Sequence, residues 1–177
     1  TMELRYYPNT MDAQNGVTPR YMGRLLDGEA VCRGFSPTEN ESLMLIGNAG
    51  LGKTHAALAI AGLVLEQGHD VIYVSSPDFF GKIEAPALTS GDADTLLRTA
   101  STADLLILDD LGTEFVTPYF ITVFYSLLNN RLGAGLPTII TTNITDGALL
   151  EKRYTEKISS RLSAFIPFPL PGETSAP

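Results

Sequence analysis

The sequence predicts an α/β domain, with five strands in a mostly parallel, doubly wound sheet sandwiched between helices. Three observations predict it. Apolar runs of about four residues alternate with helical stretches along the chain. A glycine-rich segment, Gly47 to Thr54, stands where the first such run hands over to a helix. Two consecutive carboxylates, Asp109-Asp110, close a later apolar run. Ligands of doubly wound sheets bind beyond the carboxyl ends of the strands, where both segments fall.

The segment Gly47-Asn48-Ala49-Gly50-Leu51-Gly52-Lys53-Thr54 matches the G-x-x-x-x-G-K-[ST] phosphate loop in full. Leu43-Met44-Leu45-Ile46 before it reads as a buried strand, and Thr54 to Glu66 after it as a helix. Glycines let the loop fold back and approach a ligand closely. Successive N–H groups then point into one concavity at the positive end of a helix dipole. Lys53 offers a cation to the β- and γ-phosphates of ATP, or to the β-phosphate of ADP, and Thr54 a hydroxyl to Mg²⁺. This makes the chain a P-loop nucleoside triphosphatase in expectation. A glycine-rich turn with an incidental lysine is the bland alternative.

Taken in order, residues 1–34 read as a linker and flank, rich in Pro and Gly. Within it, Tyr21 can stack on adenine, and a tyrosine packed on the domain surface reads equally well. The ATPase domain is expected over 35–168, and a flexible tail over 169–177. The first helix carries Ala57, Leu58, Ala61 and Leu65 at helical spacing and stops at Gly68. Val71-Ile72-Tyr73-Val74 is a second strand, and Ser75-Ser76-Pro77-Asp78 starts a helix. Phe79 and Phe80, near Lys82, can stack on exposed bases, but the core reading is stronger. Asp94 to Ala100 reads as a short helix.

Leu105-Leu106-Ile107-Leu108 is a strand apolar on both faces, hence central. Burying the carboxylates at its end is costly unless a cation relieves them. This is a Walker B arrangement: Asp109 would hold Mg²⁺ and Asp110 would polarise the attacking water. Pro118 opens a helix with Phe120, Val123, Phe124, Leu127 and Leu128 on one face, ending near Gly133. Pro137 to Asn143 is a fourth strand whose tip, Asn143, can orient the attacking water or touch the γ-phosphate; helix capping is the alternative. Asp146–Arg153 and Thr155–Ser163 read as two helical pieces, and Phe165–Phe168 as an edge strand.

Composition bounds the function. The formal net charge of −8 and pI near 4.6 argue against a surface coated in basic charge for nucleic acid, although Lys and Arg can gather in a local patch on one face. Cys32 is the sole cysteine, so neither an internal disulfide nor a cysteine zinc cluster can form. No apolar run is long enough to span a bilayer, and no membrane partner is expected. These features fit a cytoplasmic protein.

Together, Gly47 to Thr54 with His55, Leu105 to Gly112 with Thr113-Glu114, Thr141-Thr142-Asn143, and Glu156-Lys157-Ile158-Ser159-Ser160-Arg161-Leu162 resemble one family. It is the AAA+ ATPase module of bacterial helicase loaders of the DnaC/DnaI type, shared with the IstB transposition helpers. The resemblance runs from about Val17 to Phe168. It implies that Arg161 reaches a γ-phosphate held by a neighbouring subunit, so that ATP bridges self-associated copies. A surface arginine on an amphipathic helix is the alternative. Lys157 stands where relatives often carry another arginine. Relatives also carry a sensing arginine after the last strand, whereas Leu170-Pro171-Gly172-Glu173-Thr174 has none. The family further implies a DnaB-type replicative helicase and single-stranded DNA as partners. A transposase helper working on duplex DNA is the second reading. A small-molecule kinase is disfavoured, because the stretch from Gly112 to Arg131 carries no arginine-rich lid.

Overall fold

The computed structural model describes residues 41–85 and 89–170. Five strands, β1 (Leu43–Ile46), β2 (Val71–Ser75), β3 (Leu105–Leu111), β4 (Thr138–Thr142) and β5 (Ile166–Pro169), form one sheet in the order β2-β3-β4-β1-β5. Every pairing is parallel, a stricter arrangement than the mostly parallel sheet expected. The helices are α1 (Lys53–Glu66), α2 (Ser76–Glu84), α3 (Ser90–Thr102), α4 (Pro118–Ala134) and α5 (Gly147–Leu162). The order places β4 between β1 and β3, so the phosphate loop and the Asp109-Asp110 pair flank the tip of β4.

Alternation along β3 divides the core. Leu105 and Ile107 face the layer formed by α1, with Ala56, Ala57, Ile60, Ala61 and Val64. Leu106 and Leu108 face the opposite layer, built from α2 to α5. Full burial of one such aliphatic side chain contributes about 1.5–3 kcal/mol. The expected α1 face is corrected in part: Ala57 and Ala61 are buried, but Leu58 and Leu65 are exposed. Lys53 must point inward from the loop, and the helical repeat then carries positions 56, 57, 60, 61 and 64 inward with it. The small side chains on that face let α1 sit close to the sheet.

Phe79 and Phe80 are buried, which overturns base stacking for them. Phe80 meets Phe120 edge-on at 4.5 Å between ring centroids, and Phe124 at 5.5 Å. The α3 helix is longer than expected because Thr89 caps it, its hydroxyl accepting from the Asp92 N–H. The α4 helix buries all five residues expected on its inner face and ends one residue beyond Gly133, at Ala134, with Gly135 as its cap. The two helical pieces expected after Asp146 are present as α5, broken at Thr155 (φ 76°, ψ 154°). Residues 169 and 170, expected to lie in a flexible tail, are ordered: Pro169 closes β5, and Leu170 is buried, its N–H donating to Ile46 O at 2.7 Å. Tyr21, the 1–34 segment, Cys32 and residues 171–177 lie outside the described residues.

Candidate active site

Residues from β1, α1, β3 and β4 meet at the carboxyl ends of the strands around a cleft of about 600 Å³. Ala49, Gly50, Gly52, Lys53, Thr54, His55, Asp109, Asp110 and Asn143 line it, as does Leu58, whose exposure in α1 is thereby explained. The loop reaches this shape because Gly50 (φ 81°) and Gly52 (φ 83°) take left-handed backbone that other residues resist. Gly52 directly precedes α1 with no side chain over the helix end. The first N–H groups of α1 are therefore left for a ligand.

Lys53 is 7% exposed. Its Nζ donates to Gly47 O at 2.7 Å, Asn48 O at 2.8 Å and Asn143 Oδ1 at 2.5 Å. Burial lowers its pKa below the ordinary 10.5, and Asp110 and Asp109 offset part of that. Gly47 and Asn48 thus hold the lysine from behind the cleft, and Leu51 turns into the α1-side core.

Asp109 is buried at the end of β3 and accepts from three hydroxyls. Thr54 Oγ1 lies 3.0 Å from each carboxylate oxygen, Thr141 Oγ1 donates to Oδ1 at 2.6 Å, and Tyr73 OH donates to Oδ2 at 2.8 Å. The Tyr73 hydroxyl is pushed up to about 12 by lost solvation first and the Asp109 bond second. Thr141 Oγ1 also accepts from the Asp110 main-chain N–H at 2.8 Å, which ties the Asp109 carboxylate and the Asp110 backbone to β4. Asp110 takes a positive φ of 63° and turns its side chain outward. The residue types suit a hard cation. A hydroxyl and a carboxylate converge, and no cluster of three or more acidic, His or Cys ligands exists among the described residues. Such a set fits an ion shared with phosphates and water.

Arg161 lines no part of this cleft. It lies on α5 against α4, with its guanidinium carbon 4.0 Å from the Tyr125 ring centroid. Its Nη2 donates to Tyr125 OH at 2.5 Å and to Asn129 Oδ1 at 2.9 Å. Tyr73 and the role of Thr141 escaped the sequence reading. A tyrosine in an apolar strand carries no signal of an acidic neighbour until the pairing of β2 with β3 sets Ser75 opposite Asp109.

The profile of a family described as "IstB-like ATP binding protein" matches residues 28–152. The chain is 28% identical over 122 residues to the replicative helicase loader DnaC of Escherichia coli strain K12, covering 68% of this chain and 49% of the relative. It is 29% identical over 112 residues to the replicative helicase loader DnaI of Bacillus subtilis strain 168, covering 63% and 36%. The chain thus spans about half the length, or less, of these curated relatives. Its fold superposes on a crystal structure of the DnaC helicase loader with a TM-score of 0.74 at 23% identity, covering 94% of this chain and 99% of the other. No helix of the described residues is long and apolar enough to cross a membrane. A P-loop fold of AAA+ type and a family profile matching more than half of the chain lead to one statement: this chain belongs to the IstB-like ATP-binding family.

Proposed function

We propose that residues 35–168 are the ATP-binding and ATP-hydrolysing AAA+ module of a cytoplasmic DNA replication protein that loads a replicative helicase of DnaB type onto single-stranded DNA. The observation that carries the reading is the convergence of Lys53, Thr54, Asp109 and Asn143 on one cleft at the strand ends. Backbone N–H groups from Gly47 to His55 cradle the phosphates, and Lys53 leaves its carbonyl partners for the β- and γ-oxygens. Thr54 and Asp109 are the residues that would hold Mg²⁺, which when bound neutralises phosphate charge. Asp110 orients and polarises the water, and Asn143 holds that water or the γ-phosphate in line. Water attacks the γ-phosphorus, the bond to the β-bridging oxygen breaks, and ADP and phosphate leave. Arg161 serves the site of a neighbouring copy, so turnover by the isolated domain is slow.

Sizing of the protein with and without ATP, adding single-stranded DNA and the helicase in turn, tests the reading. An ATP-dependent complex holding helicase and single strand is expected; an unchanged elution under every condition overturns it. The family profile favours a second reading, an ATPase helper of a transposase. ATP-dependent assembly on duplex DNA with no affinity for the helicase would select that reading.

A further inference from the structure

Glu114 is a buried carboxylate, 5% exposed, that the chemistry above does not use. It stands in the turn after Asp110. Its Oε2 accepts from the Gly112 N–H at 3.1 Å and from Ser76 Oγ at 2.9 Å. Its Oε1 accepts from Tyr154 OH and lies 3.5 Å from Arg153 Nη2. Arg153 Nη2 also donates to the main-chain carbonyl of Glu114. A buried carboxylate is tolerated only with such complete partnering. The partners come from the β3 turn, the start of α2 and the leading half of α5.

The backbone is constrained on both sides of this cluster. Asp110 has φ 63°, and Gly112 has φ 118°, where an added Cβ would meet Ile144 Cδ1 at 3.1 Å. Thr113 Oγ1 donates to Asp110 O at 2.9 Å and tightens the same turn. Immediately after Tyr154, Thr155 occupies a region that glycine alone visits readily, and it is β-branched. Such a conformation persists only where its surroundings hold it. Beyond the break, α5 carries Arg161, docked on Tyr125 and Asn129.

We propose that Glu114 is a positioning residue: it locks the turn that presents Asp110 to the leading half of α5, fixing Asp110 beside the phosphate site and fixing the bend that precedes Arg161. The inference rests on the ATPase reading. It separates nucleotide binding, which uses the loop and α1, from turnover, which depends on where Asp110 stands.

The test uses the full chain carrying Glu114→Gln, Tyr154→Phe, or both. Each single variant is expected to lose about ten- to a hundredfold in kcat, the scale of a small misplacement of a reacting group. ATP affinity and KM should stay within about threefold of wild type, since the loss is not one of ground-state binding. The double variant should be no slower than the worse single one, because both act through one link. An unchanged kcat, an equal loss of affinity, or an additive double variant would each overturn the inference. Should Glu114→Gln not fold, Tyr154→Phe, which removes one hydroxyl, decides by the same criteria. Asp110→Asn runs alongside. If the wild-type chain hydrolyses no ATP, the ATPase reading itself fails; if Asp110→Asn hydrolyses it at the wild-type rate, Asp110 has no part in the step and the positioning role falls with it. If Asp110→Asn is inactive while Glu114→Gln and Tyr154→Phe are normal, the positioning role alone fails.

Discussion

Lys53 and Asn143 stand 90 positions apart in the chain, and their side chains meet at 2.5 Å. The contact exists because β4 is inserted between β1 and β3, bringing the tip of one strand against the loop that follows another. The ammonium is thereby held at the cleft, with its protons donated to Gly47 O, Asn48 O and Asn143 Oδ1.

Replacing that ammonium should cost nucleotide affinity. For Lys53→Ala, loss of charge-assisted bonds to phosphate is expected to weaken ATP binding by about 1.5–3 kcal/mol, or roughly 10- to 150-fold. Titration calorimetry reads this directly, and an unaltered dissociation constant would remove Lys53 from the site.

Binding should also depend on pH in the alkaline range. Burial lowers the folded-state pKa of Lys53 below 10.5, so its ammonium is costly to the fold at lower pH and that cost lifts as pH rises through the lowered value. Affinity runs the other way, because the polyphosphate needs the charged form. Above the folded-state pKa, affinity for ATP is expected to fall by up to about tenfold per pH unit, with onset below the ordinary lysine value. Lys53→Arg should flatten this limb, since guanidinium stays charged. A titration that is flat up to the ordinary lysine value would contradict the assignment.

Asp110→Asn should separate binding from chemistry. The side chain points outward at the turn and holds none of the Asp109 hydroxyl partners. Mg·ATP affinity is therefore expected to stay near wild type while hydrolysis falls by about two to four orders of magnitude, the usual contribution of a positioned base. Single-turnover measurement of phosphate release checks this, and normal release would exclude Asp110 from the step.

Thr141→Val should show what the Asp109 carboxylate and the Asp110 backbone owe to β4. The change removes the donor to Asp109 and leaves the Asp110 N–H without its 2.8 Å acceptor. Unpaired buried groups of this kind cost about 1–3 kcal/mol. For a chain of this size that is a fall of about 2–4 °C in melting temperature per kcal/mol. A melting temperature equal to wild type would mean that solvent satisfies both groups.

The local patterns carried much of this molecule. The phosphate loop, the apolar β3 run ending in two aspartates, and the Pro118 start of α4 each act within a few residues, so a short window holds their physics. The two helical pieces expected over 146–153 and 155–163 also agree with the break at Thr155, although the buried Leu150, Tyr154, Ile158 and Leu162 keep one spacing across it. The inner face of α1 was half legible: Ala57 and Ala61 are buried as expected, whereas Leu58 and Leu65 are not. Ala56 and Ile60 displaced Leu58 and Leu65 from the core because the loop, and not hydrophobicity, sets the angle at which that helix leaves.

By itself the sequence determined the elements, their order and the chemistry each segment offers to a nucleotide, since these follow from backbone preference and residue type. Only the tertiary structure decided who meets whom: Tyr73 and Thr141 on Asp109, Asn143 on Lys53, Glu114 on Tyr154. Strand order and register bring together residues with no local relation, and no short stretch of chain encodes that distance.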